Sequence, residues 1–314
     1  MAPGTSHTSP VTVEALIVSY ETRDLLRQTI STLFAHAPSP DVAELSVAVL
    51  DNASSDGSAE MVEREFPRAR LLRAERNLGF AAANNRLAHT SESAYVLLLN
   101  PDVVVIEDIV TPLLQALLAD PLAVVAGPRL TFPDGRPQHS SQHLPTLRFE
   151  LARVLHGTKA AGAARAVFDT QHEIAASRQH ALLDAREPRR TQFLWATCWL
   201  IAREEIVRHG LFDERYTTYD EDLDFCRRVL DRGRAALFVP GAHLVHLGGA
   251  SSTTAAKEAM MQRGRQRYYR DHHGRLSALL FRWGLLPFVT LKRVRSAASL
   301  GRARARGSRN DGLA

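Results

Sequence analysis

The chain has only two cysteines in 314 residues, Cys198 and Cys226, and their spacing forms neither a CxxC motif nor a disulfide framework. That points to reduced thiols in a cytosolic protein. No run of uncharged apolar residues is long enough to be expected to span a bilayer. The first ten residues, MAPGTSHTSP, lack the basic start and apolar core of a signal peptide and are expected to form a disordered lead. Neither GxGxxG nor GxxxxGK[ST] occurs, which removes the dinucleotide fingerprint and the P-loop. There is no internal repeat.

What is present is an ordinary globular composition, 45% hydrophobic and 23% charged, with enough length to bury a sizeable core. The net charge of +5 is unevenly distributed. Residues 263–309 hold thirteen Lys and Arg against one acid, Asp271, while the remainder has 26 basic and 33 acidic residues. The basicity therefore belongs to a tail. An acidic body without a nucleic-acid motif argues against a nucleic-acid-binding protein, and no nucleic acid partner is expected.

Strands are expected at 11–20, 44–51, 69–74, within 95–105 up to a break at Pro101, and at 122–126. They alternate with a helix bearing Leu25, Leu26, Ile30, Leu33 and Phe34 on one face and with helices from about Ser58, at 79–89 and at about 107–119. This alternation predicts an α/β fold with a mainly parallel sheet flanked by helices. Past Gly127 the pattern loosens into a loop or hairpin with Pro-Asp-Gly as its turn. Residues 147–190 read as a helical stretch and then an Arg- and His-rich segment. Order returns at 192–205, a strand feeding a short helix, and the body closes near 237–249.

Polar residues gather at strand ends. In YVLLLNPDVVV, residues 95–105, Pro101 must end or bulge the strand, which presents Asp102 at its carboxyl end, where open α/β sheets place ligands. Asp51 ends the strand before NASSDGS, a polar loop that also suits capping of the next helix, and a strand-end carboxylate of this kind can accept a hydrogen bond from a base imide. YTTYDEDLDFCRR, residues 216–228, is the most acidic cluster. With Leu223, Cys226, Val229 and Leu230 on one face, Asp222 falls at the edge of that face and Glu221 and Asp224 turn away. An inward Asp222 would be partly desolvated, which makes a carboxylate a stronger base. His243 and His246 follow a strand and precede two glycines. Trp195 and Trp199 alternate with Thr197 on one strand face, as core or as a sugar platform.

Taken in order, IVSY, DNASSDGS, RNLGFAAANN, LLNPDV, WATCWLIARE, YDEDLDFCRR and HLVHLGG resemble family 2 glycosyltransferases of the GT-A fold. The nearest pattern is a bacterial rhamnosyltransferase-like group carrying Asn-Pro-Asp where others have Asp-x-Asp. The resemblance covers about residues 12–250 and implies a nucleotide-sugar donor, with dTDP-rhamnose leading, and a glycan or polyprenyl-linked acceptor. By resemblance Asp102 coordinates Mg²⁺ or Mn²⁺ on the donor diphosphate, His246 lies near metal and leaving group, and Asn100 replaces the first acid. Ser19, Asp51, Asn52, Arg76, Asn77 and Gly79 are the implied nucleotide contacts. Asp222 matches the catalytic base of an inverting transfer, with Glu221, Trp195 and Trp199 toward sugar and acceptor. A sugar nucleotidyltransferase lacks support, because no Gly-rich basic loop follows IVSY. A non-catalytic relative stays open through Asn100.

The expected organisation is a lead (1–10), a GT-A domain (11–254) with a nucleotide-sugar-binding half (11–127) and an acceptor and catalytic half (128–254), and a helical basic extension (255–314). Residues 275–309 read as an amphipathic segment on an anionic inner leaflet or as a packing helix with a basic end. The membrane reading makes the protein cytoplasmic and peripheral on the inner membrane face.

Overall fold

The computed structural model describes residues 10–138, 140–146, 184–216, 218–248 and 259–283. Most of the lead, residues 147–183, and the tail from 284 lie outside the described residues. Two compact units are present, one of Met1–Leu144 with Ser177–Gly264 and one of Pro145–Ala176 with Arg265–Ala314.

The first unit is built on a mixed sheet. Its elements are β1 (Val11–Ser19), α1 (Arg23–Ala35), β2 (Ala43–Asp51), α2 (Ser58–Glu65), β3 (Arg70–Arg73), α3 (Phe80–His89), β4 (Tyr95–Leu99), β5 (Val103–Val105), α4 (Val110–Ala119) and β6 (Ala123–Thr131). There follow β7 (Pro137–Gln138), β8 (Ser141–Gln142), β9 (Arg189–Thr191), β10 (Phe193–Leu194), β11 (Cys198–Ala202), α5 (Arg203–His209), α6 (Glu221–Asp231) and β12 (Ala235–His246). The order across the main sheet is β3-β2-β1-β4-β11-β6-β12-β5. Val13, Ala15, Leu16 and Ile17 of β1 are all fully buried, as an inner strand covered on both faces requires.

β1 to β4 pair in parallel, as does β6 with β12. β11 is inserted between β4 and β6 and runs antiparallel to both, which the alternating pattern did not predict. Strand direction depends on where the chain re-enters the sheet, and apolar periodicity does not carry that. α4 starts at Val110, later than expected, because the Asp108 carboxylate accepts from the amides of Val110 (2.9 Å) and Thr111 (3.1 Å) and caps the helix there. β6 runs on to Thr131 through Pro128, opposite the register shift of β12 between Val239 and His243. A proline is tolerated beside such an irregularity.

On α1 the buried face is Leu26, Thr29, Ile30 and Leu33, and Phe34 is exposed. Residues 259–283 are helical (α7), interrupted at Gly274, where φ is +84°. Among the described residues no helix is long and apolar enough to cross a membrane.

Candidate active site

Parallel pairing places the carboxyl ends of β1, β2 and β4 along one sheet edge. Ser19 lies opposite Asp51 in register, and Ile17 lies opposite Leu99. Asn52 organises the first half of this edge. Its amide donates to Ser19 O (2.8 Å), its Nδ2 donates to Asn77 Oδ1 (3.0 Å), and its Oδ1 accepts from Leu78 N (2.8 Å). Asn77 Oδ1 also accepts from Gly79 N at 2.8 Å. Asn52 thereby joins the ends of β1 and β2 to the loop before α3. The Ser19 hydroxyl is fully buried against Thr22 Oγ1 at 2.9 Å, and Arg76 is exposed on the same loop as Asn77. Asp51 accepts from Ser54 N through Oδ2 (3.2 Å), while its buried Oδ1 has no hydrogen-bond partner among the described residues. Buried polar atoms are nearly always paired, so an orphan oxygen on this edge marks a place for a donor group.

The second half of the edge follows β4. Pairing of β5 with β12 sets His246 opposite Val103, which brings His246 Nε2 to 3.3 Å from Asp102 Oδ2. The Nδ1 of His246 lies 2.6 Å from Gln138 Oε1, which holds the ring with Nε2 facing the carboxylate. Asp102 Oδ1 is also buried and without a hydrogen-bond partner among the described residues. The pair suits a hard cation that keeps waters and takes phosphate oxygens. Among the described residues there is no cluster of three or more His, Cys or acidic side chains arranged for a metal.

α6 brings the acids. Asn100 N donates to Thr197 O (2.9 Å), and Ala196 N donates to Asp222 Oδ2 (3.3 Å), which links the Asn-Pro-Asp segment to the start of α6. Asp222 Oδ1 accepts from Leu223 N at 2.8 Å, and the side chain is buried. Glu221 is buried as well, with Oε2 unpartnered among the described residues. Burial, and next the neighbouring Asp222 charge, push its carboxyl well above the usual range.

Asp224 does not turn away to solvent as expected. It is buried and ion-paired with Arg228 Nε at 2.8 Å, and Arg228 also donates to His209 O at 3.2 Å and to Leu211 O. Glu221 likewise is buried rather than outward-facing. One apolar face on a helical wheel assumes a single packed side, and α6 buries both sides of its first turn.

The turn into α6 is held in an unusual shape. Tyr219 (φ +72°) and Asp220 (φ +68°) are consecutive non-glycine residues in the left-handed region. Gly264 of α7 packs against this turn, and a Cβ there would come within 2.5 Å of Tyr219 O.

Trp195 and Trp199 do not share a strand face, since β11 begins at Cys198. Trp199 is fully buried, with ring centroids 5.2 Å from Phe225 and 5.8 Å from Phe212, which makes it a core residue and removes the sugar-platform reading. Trp195 is half-buried beside Phe193 (5.5 Å) before the strand.

Three supporting residues were not foreseen. Gln138 orients His246. Thr29, buried on α1, holds the backbone around Asp102 through Pro101 O (2.9 Å) and Val103 O (2.7 Å). Arg228 anchors α6. Thr29 was the single polar residue among α1 core positions, and Asp224 with Arg228 has i,i+4 spacing. Both signals were readable.

The family model described as Glycosyl transferase family 2 matches residues 15–206. The N-acetylglucosaminyl-diphospho-decaprenol L-rhamnosyltransferase of Mycobacterium tuberculosis is 29% identical over 276 residues, covering 83% of this chain and 87% of its own. A solved structure of GalNAc-T7 with UDP, GalNAc and Mn²⁺ matches at TM-score 0.59 and 15% identity, over 84% of this chain and 48% of that one. The chain thus spans about half the length of that protein. The mannosyltransferase PcManGT from Pyrobaculum calidifontis, in complex with GDP-Man and Mn²⁺, matches at TM-score 0.56 and 15% identity, over 96% and 80% of the two chains. Likeness at this identity is one of fold.

Proposed function

This chain belongs to glycosyl transferase family 2, enzymes that transfer a sugar from a nucleotide donor, and we propose that it is an inverting, divalent-cation-dependent rhamnosyltransferase. The leading donor is dTDP-rhamnose. The acceptor is a hydroxyl of a polyprenyl-diphosphate-linked sugar, the class named for the Mycobacterium tuberculosis relative. The product would serve cell-surface polysaccharide synthesis.

The observation that carries this reading is the joining of Asn100, Thr197, Ala196 and Asp222 by hydrogen bonds on the edge that also holds Asp102 with His246. An inverting displacement needs a base on one side of the anomeric carbon and charge stabilisation at the leaving diphosphate on the other. Asp222, held by two backbone amides, takes the acceptor proton. Asp102 and His246 would hold Mg²⁺ or Mn²⁺, which supplies Lewis-acid stabilisation of the leaving nucleoside diphosphate. Asp51 accepts from the base imide, and Asn77, Gly79 and Arg76 line the nucleotide, while Asn52 and the fully buried Ser19 hold that edge in place and do not reach the ligand with their side chains. Glu221, kept neutral by burial, donates a hydrogen bond to a sugar or acceptor hydroxyl. Trp195 borders the acceptor.

The test is transfer from dTDP-rhamnose, against dTDP-glucose and UDP-sugars, to a polyprenyl-diphosphate-linked N-acetylglucosamine with Mn²⁺ or EDTA. Mn²⁺-dependent transfer of rhamnose with inversion supports the reading. Transfer only from a UDP-sugar, or undiminished transfer in EDTA, overturns the donor or the metal assignment respectively.

A further inference from the structure

We propose that the helical segment after Gly274 docks on an anionic lipid surface through a face made by Leu276, Leu279, Leu280 and Trp283. The second unit, taken by itself, carries the argument. Gly274, at φ +84°, sets residues 275–283 apart from the preceding turns of α7. Within that segment Ala278 and Phe281 are buried, and the Phe281 ring lies 4.9 Å from Tyr269. The opposite face is exposed, with Leu276 at 69%, Leu279 at 50%, Leu280 at 48% and Trp283 at 63%. These positions fall at i, i+3, i+4 and i+7, one continuous stripe.

The arrangement inverts what a soluble surface helix shows. Scattered exposed leucines are ordinary, but four large apolar side chains on one stripe mark an interaction surface. Arg275 and Arg282 are exposed beside the stripe, and among the described residues neither makes an ion pair. Asp271, the acid nearest to this segment along the chain, is already matched by Arg270 (3.2 Å) and Arg267 (3.6 Å). Further along, residues 284–314 add seven Lys and Arg against one acid, Asp311.

Charge decides the occupant. A second copy docking on the same face would bring the arginines of both copies together, whereas anionic headgroups meet them favourably. Leucines can sink to the acyl boundary while Trp283 sits at headgroup depth and the arginines reach outward. The face needs neither donor nor acceptor, so it stands apart from the proposed transfer reaction.

The experiment is co-sedimentation of the full chain with bare vesicles of phosphatidylcholine, with and without phosphatidylglycerol. Binding to the anionic vesicles is expected, weakened by at least about tenfold in a Leu276→Ser/Leu280→Ser double variant that retains every basic residue. Brominated acyl chains should quench part of the tryptophan fluorescence, and Trp283→Phe should abolish that quenching. An unchanged thermal shift with dTDP in these variants controls for folding. Equal vesicle binding by the double variant would assign the effect to tail charge alone and overturn the proposal. So would equal binding to neutral vesicles, or a dimer that the double variant dissociates without any vesicle binding.

Discussion

Asp102 and His246 face each other at 3.3 Å across the antiparallel pairing of β5 with β12. The contact joins a carboxylate left by one strand to an imidazole at the end of another, and Gln138 fixes which ring nitrogen looks inward. If the pair holds a divalent cation, dTDP should stabilise the protein more in Mn²⁺ than in EDTA. Asp102→Ala or His246→Ala should remove that increment and leave the metal-independent part. Equal thermal shifts in EDTA and Mn²⁺ for the unaltered chain would sink the metal assignment.

Asp222→Asn keeps the side chain's shape and removes its proton-accepting ability. Turnover should fall by about 10²- to 10⁴-fold with donor affinity nearly unchanged, read from initial rates and a separate nucleotide titration. Tolerance of this substitution would place the base elsewhere.

Asp224→Asn should act on stability instead. Asp224 is buried against Arg228, and losing its charge weakens an ion pair that anchors α6, at a cost of about 1.5–3 kcal/mol. Thermal or urea unfolding measures it. A loss of turnover matching that of Asp222→Asn, without loss of stability, would contradict this division of roles.

Glu221 predicts a pH dependence of stability. Its carboxyl is held above the ordinary value of 4.5, chiefly by burial and then by Asp222. Below 4.5 both folded and unfolded states are protonated and the group is neutral toward stability. As pH rises, the unfolded chain ionises freely and the folded one resists, so stability drops through the window above 4.5. Glu221→Gln should flatten that drop and raise the melting temperature at neutral pH. A steeper drop in the variant would refute the assignment.

Gly264→Ala inserts a methyl group where Tyr219 O stands 2.5 Å away, against backbone that has little room to yield. The cost should be about 1–3 kcal/mol of stability. Reduced turnover should accompany it, because the displaced turn leads directly into Glu221 and Asp222. An alanine variant with unaltered stability and rate would show that the turn is free to move.

Much of the sheet was legible because buried strands are continuous apolar runs, and Asp51 and Asp102 stood out as carboxylates ending such runs. The antiparallel entry of β11 was not legible. Its residues are apolar in either direction, and only the path of the returning chain sets the pairing. Trp199 was ambiguous for the same reason, since a large aromatic looks alike in a core and on a platform until its neighbours Phe212 and Phe225 are in place. Asp224 was misread because a helical wheel assigns faces without knowing how many sides are packed. Arg228, four residues on, carried the missing information, as a basic partner at i,i+4 is a reason for an acid to be buried.

The pairing of β5 with β12 has a temporal meaning as well. Asp102 is synthesised early and His246 late, and their strands meet only when the last strand of the sheet docks. Contacts so distant along the chain are slow to form, because a long loop must close before they return any stabilisation. A chain halted before residue 235 would hold the Asn-Pro-Asp segment without its histidine. If the pair holds the cation of the proposed reaction, partial chains lack that site, and metal binding would report that β12 has reached its place beside β5.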